Sequence, residues 1–290
     1  GTEGREAHGP MIHHRRGAPC RGPAGRGVGV YHPGMSDALF DTATADLFRT
    51  DAYLRECAAR VLGLDAQGAV VLDRTVFYPL GGGQAGDAGV LVLEDGSELA
   101  IADTRKAKDA EGRPTAAILH LPAPGQEALL ARLAPGTPVT ARVDWVRRHR
   151  LMRFHTATHL LCHLVPQPVD GCSITPEHAR LDFHMTEALD KEQLGAGLAR
   201  LVAEAHPLTV GAVTDAELDA NPQLVRSMSV QPPRGNGTVR TIRIGAEEAP
   251  VDLQPCGGTH VANTREIGAV VVTKIEKKSA STRRVVLGWA

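Results

Sequence analysis

Long apolar segments are missing from this sequence. No run approaches the roughly 20 residues that a membrane-spanning helix requires, and residues 1–34 lack the apolar stretch of about 7–15 residues that is typical of a signal peptide. The five cysteines are an odd number without the spacing of a disulfide framework, which favours free or metal-bound thiols in a reducing compartment. These absences predict a soluble, cytoplasmic protein that does not associate with membranes.

A strong charge of either sign is also absent. The formal net charge of the 290 residues is −1, so global electrostatics neither attracts nor excludes nucleic acid. Contact with RNA then requires a local basic patch, and the sequence offers two candidates. They are Arg142, Arg147, Arg148, Arg150 and Arg153 in the middle of the chain, and Lys274, Lys277, Lys278, Arg283 and Arg284 near its end.

Three segments of the chain differ in their residue patterns. Residues 1–34 are rich in Gly, Pro, Arg and His without periodicity, and we expect them to be disordered. An extension ahead of Met35, a basic RNA-binding arm and a targeting segment are the alternatives for this part. Residues 35–144 contain short strand-like runs separated by turns such as Asp95-Gly96, which predicts a small β-barrel.

Residues 145–290 combine helical and strand-like patterns. Asp144 can cap a helix that runs to about Val165, and Thr186 can cap a second helix. Residues 221–236 are polar and rich in Pro and Gly, which predicts a mobile loop. The strand-like runs of this segment are 179–183, 238–244, 269–275 and 284–287. The whole pattern predicts an α+β fold, in which the barrel is followed by helices packed on a mainly antiparallel sheet.

Two pairs of metal-ligating residue types stand out. His155 and His159 lie four residues apart within the predicted helix, so both imidazoles project from one face. Cys256 and His260 have the same spacing around Gly257-Gly258, where a turn is expected. Either pair alone is more often a packing feature, but imidazole and thiolate together suit one Zn²⁺ ion per chain. Cys162 and His163 border the first pair and are the alternative ligands.

The spacing also excludes some kinds of site. The pairs are too far apart in the chain for a compact zinc finger, so two elements of one domain must converge. A metalloprotease of the HExxH type needs Glu after the first histidine, and Thr156 occupies that position. Four protein ligands are typical of a closed structural zinc site, which is the main physical objection to a catalytic role.

The paired motif His155-Thr156-Ala157-Thr158-His159-Leu160-Leu161 and Cys256-Gly257-Gly258-Thr259-His260-Val261 resembles the editing domain of alanyl-tRNA synthetase and its free-standing relatives, the alanyl-tRNA editing proteins. Upstream, Phe77-Tyr78-Pro79-Leu80-Gly81-Gly82-Gly83-Gln84-Ala85-Gly86-Asp87-Ala88-Gly89 is similar to the Gly-rich segment of the larger AlaX-type proteins, which join a small β-barrel to the editing domain. The likeness extends from about Leu47 to the end of the sequence.

The resemblance implies an aminoacyl-tRNA deacylase. Its substrates would be Ser-tRNA(Ala) and, as a second candidate, Gly-tRNA(Ala). The protein would bind the acceptor end of the tRNA and edit it in trans, without a stable protein partner. Zinc would be held by the two motif pairs. The stretch Lys277-Lys278-Ser279-Ala280-Ser281 departs from the Ser-rich acidic stretch of synthetase relatives, so contacts there are expected to differ.

Roles can be assigned to individual residues on this basis. The predicted metal ligands are His155, His159, Cys256 and His260, and the predicted catalytic residues are Gln84 and Thr156. The predicted substrate-binding residues are Gly82, Gly83, Ser173, Thr175 and Arg283. Glycines allow close approach of backbone N–H donors, and a hydroxyl partner can select serine over alanine. The alternative hypothesis is a non-catalytic tRNA-binding module with a structural zinc.

Overall fold

A computed structural model describes residues 42–228 and 237–290, which belong to one unit spanning residues 33–290. The predicted disorder of residues 1–34 lies outside this range, as do residues 229–236 of the predicted loop 221–236. No helix in the described range has both the length and the apolar character that a membrane crossing requires.

Short strands dominate the chain. The strands are β1 Ala45–Asp46, β2 Glu56–Leu64, β3 Val70–Leu72, β4 Arg74–Thr75, β5 Gly89–Leu93, β6 Glu98–Lys108, β7 Pro114–Pro122, β8 Pro138–Val143, β9 Val169–Ile174, β10 His178–His184, β11 Leu208–Thr214, β12 Thr238–Gly245, β13 Pro250–Pro255, β14 Val270–Ser279 and β15 Thr282–Trp289. The helices are α1 Glu127–Leu130, α2 Trp145–Leu164, α3 Lys191–Ala203 and α4 Asp215–Ala220. Within residues 42–228 and 237–290, three 3₁₀ turns lie at Leu47–Arg49, Pro222–Leu224 and Thr264–Ile267.

The first half of the described chain forms a six-stranded barrel. Its strands follow the order β2-β3-β7-β6-β5-β8, and β8 pairs back to β2. Alternate positions of each strand point inward, so Val61, Leu72, Leu91, Leu99 and Val139 fill the interior. Strands β3 and β4 are separated by Asp73, whose carboxylate accepts a hydrogen bond from the Arg60 N–H, and β4 pairs with β1.

The second half consists of helices on antiparallel sheets. One sheet has the order β14-β15-β10-β9, and a second has the order β11-β12-β13. Helices α2 and α3 pack on their apolar faces, and Leu151, Phe154, Leu161 and Leu198 are buried in the shared core. The α+β class with mainly antiparallel sheets is confirmed. The predicted domain division at residue 144 stays a prediction.

Helix caps decide where the two long helices begin. The Asp144 carboxylate accepts a hydrogen bond from the Arg147 N–H, so α2 starts at the predicted residue and runs to Leu164. The predicted cap at Thr186 is wrong. Its hydroxyl donates to the Glu187 carboxylate, and α3 is capped instead by Asp190, which accepts from the Gln193 N–H.

Candidate metal centre

The first pair of candidate ligands lies on helix α2. His155 and His159 are one helical turn apart on the face that packs against the rest of the chain, and each is 5% exposed. His163 continues the sequence pattern but is exposed, and Cys162 is buried in the apolar core. Among the described residues, the group with metal-ligand geometry therefore contains His155 and His159 but neither Cys162 nor His163.

The second pair lies on the turn that follows strand β13. Cys256 begins the turn, and His260 ends it against α2. A side chain at Gly258 is excluded, because an added Cβ atom would lie 2.1 Å from Cε1 of His155. The glycine thus allows the turn to approach the helix closely enough for both pairs to share one volume.

The four side chains converge on a single point. One ligand atom from each of His155, His159, Cys256 and His260 lies within 4.8 Å of the others. The Cys256 Sγ atom is 3.5 Å from His155 Nε2 and 3.2 Å from His260 Nε2. A tetrahedral zinc ion places sulfur and nitrogen ligands about 3.6 Å apart, given its usual bond lengths. The donor types and their separations fit zinc.

A hydrogen bond orients each imidazole ring. Nδ1 of His155 donates to Gln84 Oε1 at 2.7 Å, and Nδ1 of His159 donates to Asp252 Oδ2 at 2.8 Å. Nδ1 of His260 lies 3.2 Å from the hydroxyl of Thr156. These bonds occupy the three Nδ1 atoms and leave Nε2 of each ring as the atom that can bind a cation, which is the arrangement found around ligating histidines in proteins.

The charge states of the ligands follow from their contacts. Burial alone raises the pKa of Cys256, but His155 and His260 outweigh this effect and lower it well below its ordinary value, favouring the thiolate. Burial, followed by the charge of His155, lowers the pKa of His260 to about 3 and favours the neutral ring. Burial also disfavours a charged His159, but the Asp252 carboxylate raises the pKa of that ring to about 10.

The Gly-rich loop supplies one of these orienting contacts from the barrel side. Gln84 is fully buried, and its Oε1 also accepts a hydrogen bond from the Thr259 N–H at 3.2 Å, while its Nε2 donates to Thr259 Oγ1 at 2.9 Å. The loop is anchored on β9, since the Ile174 N–H donates to the Gly83 carbonyl. Gln84 thus joins the barrel to both halves of the metal centre.

The other predicted catalytic residue, Thr156, is also fully buried. Its hydroxyl donates to the Met152 carbonyl at 2.9 Å and accepts from the Val261 N–H at 3.3 Å, in addition to its contact with His260. The structure therefore places Gln84 and Thr156 behind the histidines, where each contacts a ligand ring.

The predicted substrate-binding residues are brought together in part, because Gly83 accepts a hydrogen bond from the N–H of Ile174, which lies between Ser173 and Thr175. In residues 42–228 and 237–290, the N–H groups of Gly82 and Gly83 donate to no protein acceptor. The Thr175 hydroxyl accepts hydrogen bonds within its own turn, from the Glu177 and His178 N–H groups. Ser173 lies opposite Arg180 on strand β10.

Arg283 has a structural task in this fold. It is 7% exposed, and its guanidinium donates to backbone carbonyls of the β14–β15 turn and of residues 186–187.

The first basic cluster is likewise divided among separate contacts. Arg148 is buried and paired with Asp87, and Arg142 pairs with Glu98. The cluster therefore does not form one continuous RNA-facing surface.

Two residues of the site were not predicted from the sequence. Asp252, which orients His159, lies on β13, a strand that the sequence reading missed between two prolines. Arg240 on β12 donates to the carbonyls of Cys256 and Gly258 and holds the ligand turn in place. An isolated Asp or Arg in a strand carries no local signal of such a role. Only the pairing of β12 with β13 brings them to the centre.

Comparison with known proteins locates relatives over both halves of the chain. Residues 239–286 match the family model described as the threonyl and alanyl tRNA synthetase second additional domain, and residues 45–147 match the class II (A) tRNA synthetase model. The chain is 30% identical over 246 residues to the alanyl-tRNA editing protein AlaX-M of Saccharolobus solfataricus, covering 83% of this chain and 97% of that protein.

The chain has similar sequence identity to proteins of other organisms. It is 32% identical over 252 residues to the alanyl-tRNA editing protein AlaX-M of Methanosarcina acetivorans, again covering 83% of this chain and 97% of the relative. It is 33% identical over 244 residues to the alanine–tRNA ligase of Pyrobaculum neutrophilum, but covers 25% of that longer protein.

Proposed function

The chain belongs to the family of alanyl-tRNA editing proteins, and on that premise we propose that it is an aminoacyl-tRNA deacylase that hydrolyses the ester of mischarged Ser-tRNA(Ala) in trans. Gly-tRNA(Ala) is the second proposed substrate. The partner is the acceptor end of tRNA(Ala), which carries the ester. The proposed cofactor is one zinc ion per chain, held by His155, His159, Cys256 and His260.

The observation that carries this proposal is the preorganised metal centre. Three imidazoles are turned toward one thiolate by the hydrogen bonds that their Nδ1 atoms form with Gln84, Asp252 and Thr156. The centre joins two distant parts of the chain and includes a buried glutamine and a buried carboxylate that orient the ligand rings. A backbone turn does not need either of these buried polar side chains for its own stability. The nitrogen and sulfur donors suit zinc rather than magnesium or calcium.

The residues around the centre have distinct tasks in the proposed reaction. Bound zinc would supply Lewis-acid polarisation of the ester or orientation of the substrate. Gln84, Asp252 and Thr156 hold the ligand rings and act as positioning residues. The N–H groups of Gly82 and Gly83 are the proposed donors to the oxyanion that forms when water attacks the ester carbonyl.

One feature of the centre favours the alternative hypothesis. Four protein ligands fill a tetrahedral zinc site, and such closed sites are usually structural. A catalytic role then requires a fifth coordination position or a ligand that moves aside. A non-catalytic tRNA-binding module with a structural zinc would bind tRNA(Ala) and hold zinc without hydrolysing the ester.

A deacylation assay with a matched pair of variants separates the two. We expect the purified protein to contain about one zinc per chain, to release serine from Ser-tRNA(Ala) and to spare Ala-tRNA(Ala). His159→Ala should lose zinc and activity together, whereas His163→Ala, which changes an exposed histidine of the same helix, should keep both. Tight tRNA binding by a zinc-loaded protein that releases no serine would support the alternative hypothesis.

A further inference from the structure

The metal centre opens to solvent on one side. His155, His159 and His260 are 5–6% exposed, whereas Cys256 is partly exposed and Gly257 is exposed. Cys256 and the adjoining Gly257 are therefore the part of the centre that is accessible from solvent. The residues that surround this opening decide what part of the substrate lies next to the ester.

Arg240 lies at one side of the opening. Its Nη1 atom donates to the Cys256 carbonyl at 2.5 Å and to the Gly258 carbonyl at 3.2 Å. Its Nε–H group is buried and has no hydrogen-bond partner among the described residues. A buried guanidinium with an unused donor is costly without an anion to accept from it.

Arg49 lies at the other side of the opening. It belongs to the 3₁₀ turn Leu47–Arg49, and its Nη1 atom is so close to Gly257 that an added Cβ there would lie 3.2 Å away. Its side chain pairs with Asp46 and is 32% exposed. The guanidinium is therefore accessible from solvent and adjacent to the residue that follows a metal ligand.

Lys106 on strand β6 adds a third positive charge. It pairs across the sheet with Ile118, which packs with Phe48, the residue before Arg49. Desolvation lowers the pKa of its ammonium group, and the charge of Arg49 lowers that pKa further. The single carboxylate of Asp46 acts on all three cations, Arg49, Lys106 and Arg240. Three cations from three separate elements thus face the carboxylate of Asp46, with the Cys256 thiolate beside Arg240, and this balance favours binding of an additional anion.

We propose that Arg49, Lys106 and Arg240 form an anion subsite that binds the phosphodiester on the 5′ side of the terminal adenosine of the tRNA. This inference rests on the proposed function, because the ester lies on the ribose of that adenosine. With the ester at the metal centre, the phosphate across the same ribose is the nearest anion of the substrate. Guanidinium groups match phosphate geometry, and RNA affinity depends on such contacts.

The test uses two non-hydrolysable probes, 3′-deoxy-3′-(L-serylamino)adenosine without and with a 5′-phosphate. We expect the 5′-phosphate to lower the Kd of the zinc-loaded wild-type protein by about tenfold or more, as charge-assisted hydrogen bonds usually do. Arg49→Gln and Lys106→Gln should each remove most of this gain. Arg105→Gln is the matched control, because Arg105 adjoins Lys106 on β6, pairs with Asp103 and is 58% exposed.

Zinc content and melting temperature are measured for every variant, so that a damaged fold is recognised, and Lys106→Gln serves if Arg49→Gln fails to fold. Equal Kd values for the two probes in the wild-type protein would overturn the subsite, as would an equal loss in Arg105→Gln. Serine release from Ser-tRNA(Ala) is assayed separately. Hydrolysis with no phosphate gain removes the subsite but keeps the proposed function, and a phosphate gain without hydrolysis keeps the subsite alone.

Discussion

At the scale of single residues, the metal centre depends on side chains that never need to touch a substrate. Gln84 is the clearest case, because its amide contacts His155 and Thr259 and reaches them from the barrel. Its burial means that the amide has no competing bond to water. A change at Gln84 should therefore act through the orientation of His155.

Replacing Gln84 with Ala should lower the rate of serine release from Ser-tRNA(Ala) by about 10–100-fold and weaken zinc binding by a similar factor, as the loss of an outer hydrogen-bond partner usually does. Single-turnover kinetics and zinc titration against a chelator measure the two effects. Gln67→Ala, at an exposed turn of the barrel, is the control and should change neither. A Gln84→Ala protein with wild-type zinc affinity and rate would remove Gln84 from the site.

At the scale of elements, the Gly-rich loop fits between the barrel and strand β9. Gly83 has a φ of +85°, and a Cβ atom there would lie 2.9 Å from the Cys172 carbonyl. Gly112 has a φ of +78° with nothing within 4 Å of an added Cβ. Both glycines have the left-handed backbone conformation, but only Gly83 lies close to a neighbouring segment, at Cys172.

Gly83→Ala should accordingly destabilise the protein by about 1–3 kcal/mol more than Gly112→Ala, since the second change carries only the left-handed penalty. The displaced loop should also move Gln84 and reduce serine release. Urea unfolding and the deacylation assay measure these effects. If the two variants unfold at the same urea concentration, the contact between an added Cβ at Gly83 and the Cys172 carbonyl has no energetic cost, which would contradict this prediction.

At the scale of the whole molecule, a buried ion pair links the Gly-rich segment to helix α2. Arg148 is fully buried, and its Nε atom donates to both oxygens of Asp87, at 2.9 and 3.1 Å. The same guanidinium donates to the carbonyls of Ala52 and Val76. Removing one partner leaves an uncompensated charge in the interior.

Asp87→Ala should lower the free energy of unfolding by about 3–5 kcal/mol. Asp95→Ala breaks the exposed pair with Arg132 and the hydrogen bond from the Ser97 N–H, and should lower the free energy of unfolding much less than Asp87→Ala does. Chemical denaturation of both variants tests this contrast. A loss in Asp87→Ala no larger than that in Asp95→Ala would contradict the structural role of the buried pair.

Acid should destabilise the barrel through His120. This ring is fully buried, with Nδ1 bonded to the Val70 carbonyl and Nε2 to the Thr75 hydroxyl, and burial lowers its pKa to about 4. The unfolded chain has a histidine pKa of about 6.5 and binds the proton first. The stabilisation is complete above pH 6.5 and is lost as the pH falls toward 4, by ~3 kcal/mol in total.

Urea unfolding of wild type and His120→Gln between pH 7.5 and 4.5 isolates this effect. The difference in unfolding free energy between the two proteins should shrink as the pH falls, because only the wild type carries the histidine. Parallel pH profiles would show that His120 titrates normally in the folded state.

The sequence determined the α+β class, the start of helix α2 at Asp144 and the two pairs of candidate ligands, because each depends on a short-range pattern. An N-cap needs its acceptor next to the first turn, and HxxxH spacing projects two rings from one helical face. The wrong cap at Thr186 has the same origin, since two capping residues, Thr186 and Asp190, stood near one helix start.

The partners of those ligands were decided only by the tertiary structure. Asp252 and Gln84 contact His159 and His155 from a strand and a loop that lie far away in the chain. The basic residues also have separate contacts, since Arg148 forms a buried ion pair and Arg240 donates to the Cys256 carbonyl beside the opening. Sequence patterns report which residues can bind a cation. The packing of β13, the Gly-rich loop and helix α2 determines which ring atoms face one point, because hydrogen-bond geometry depends on distances that no local spacing encodes.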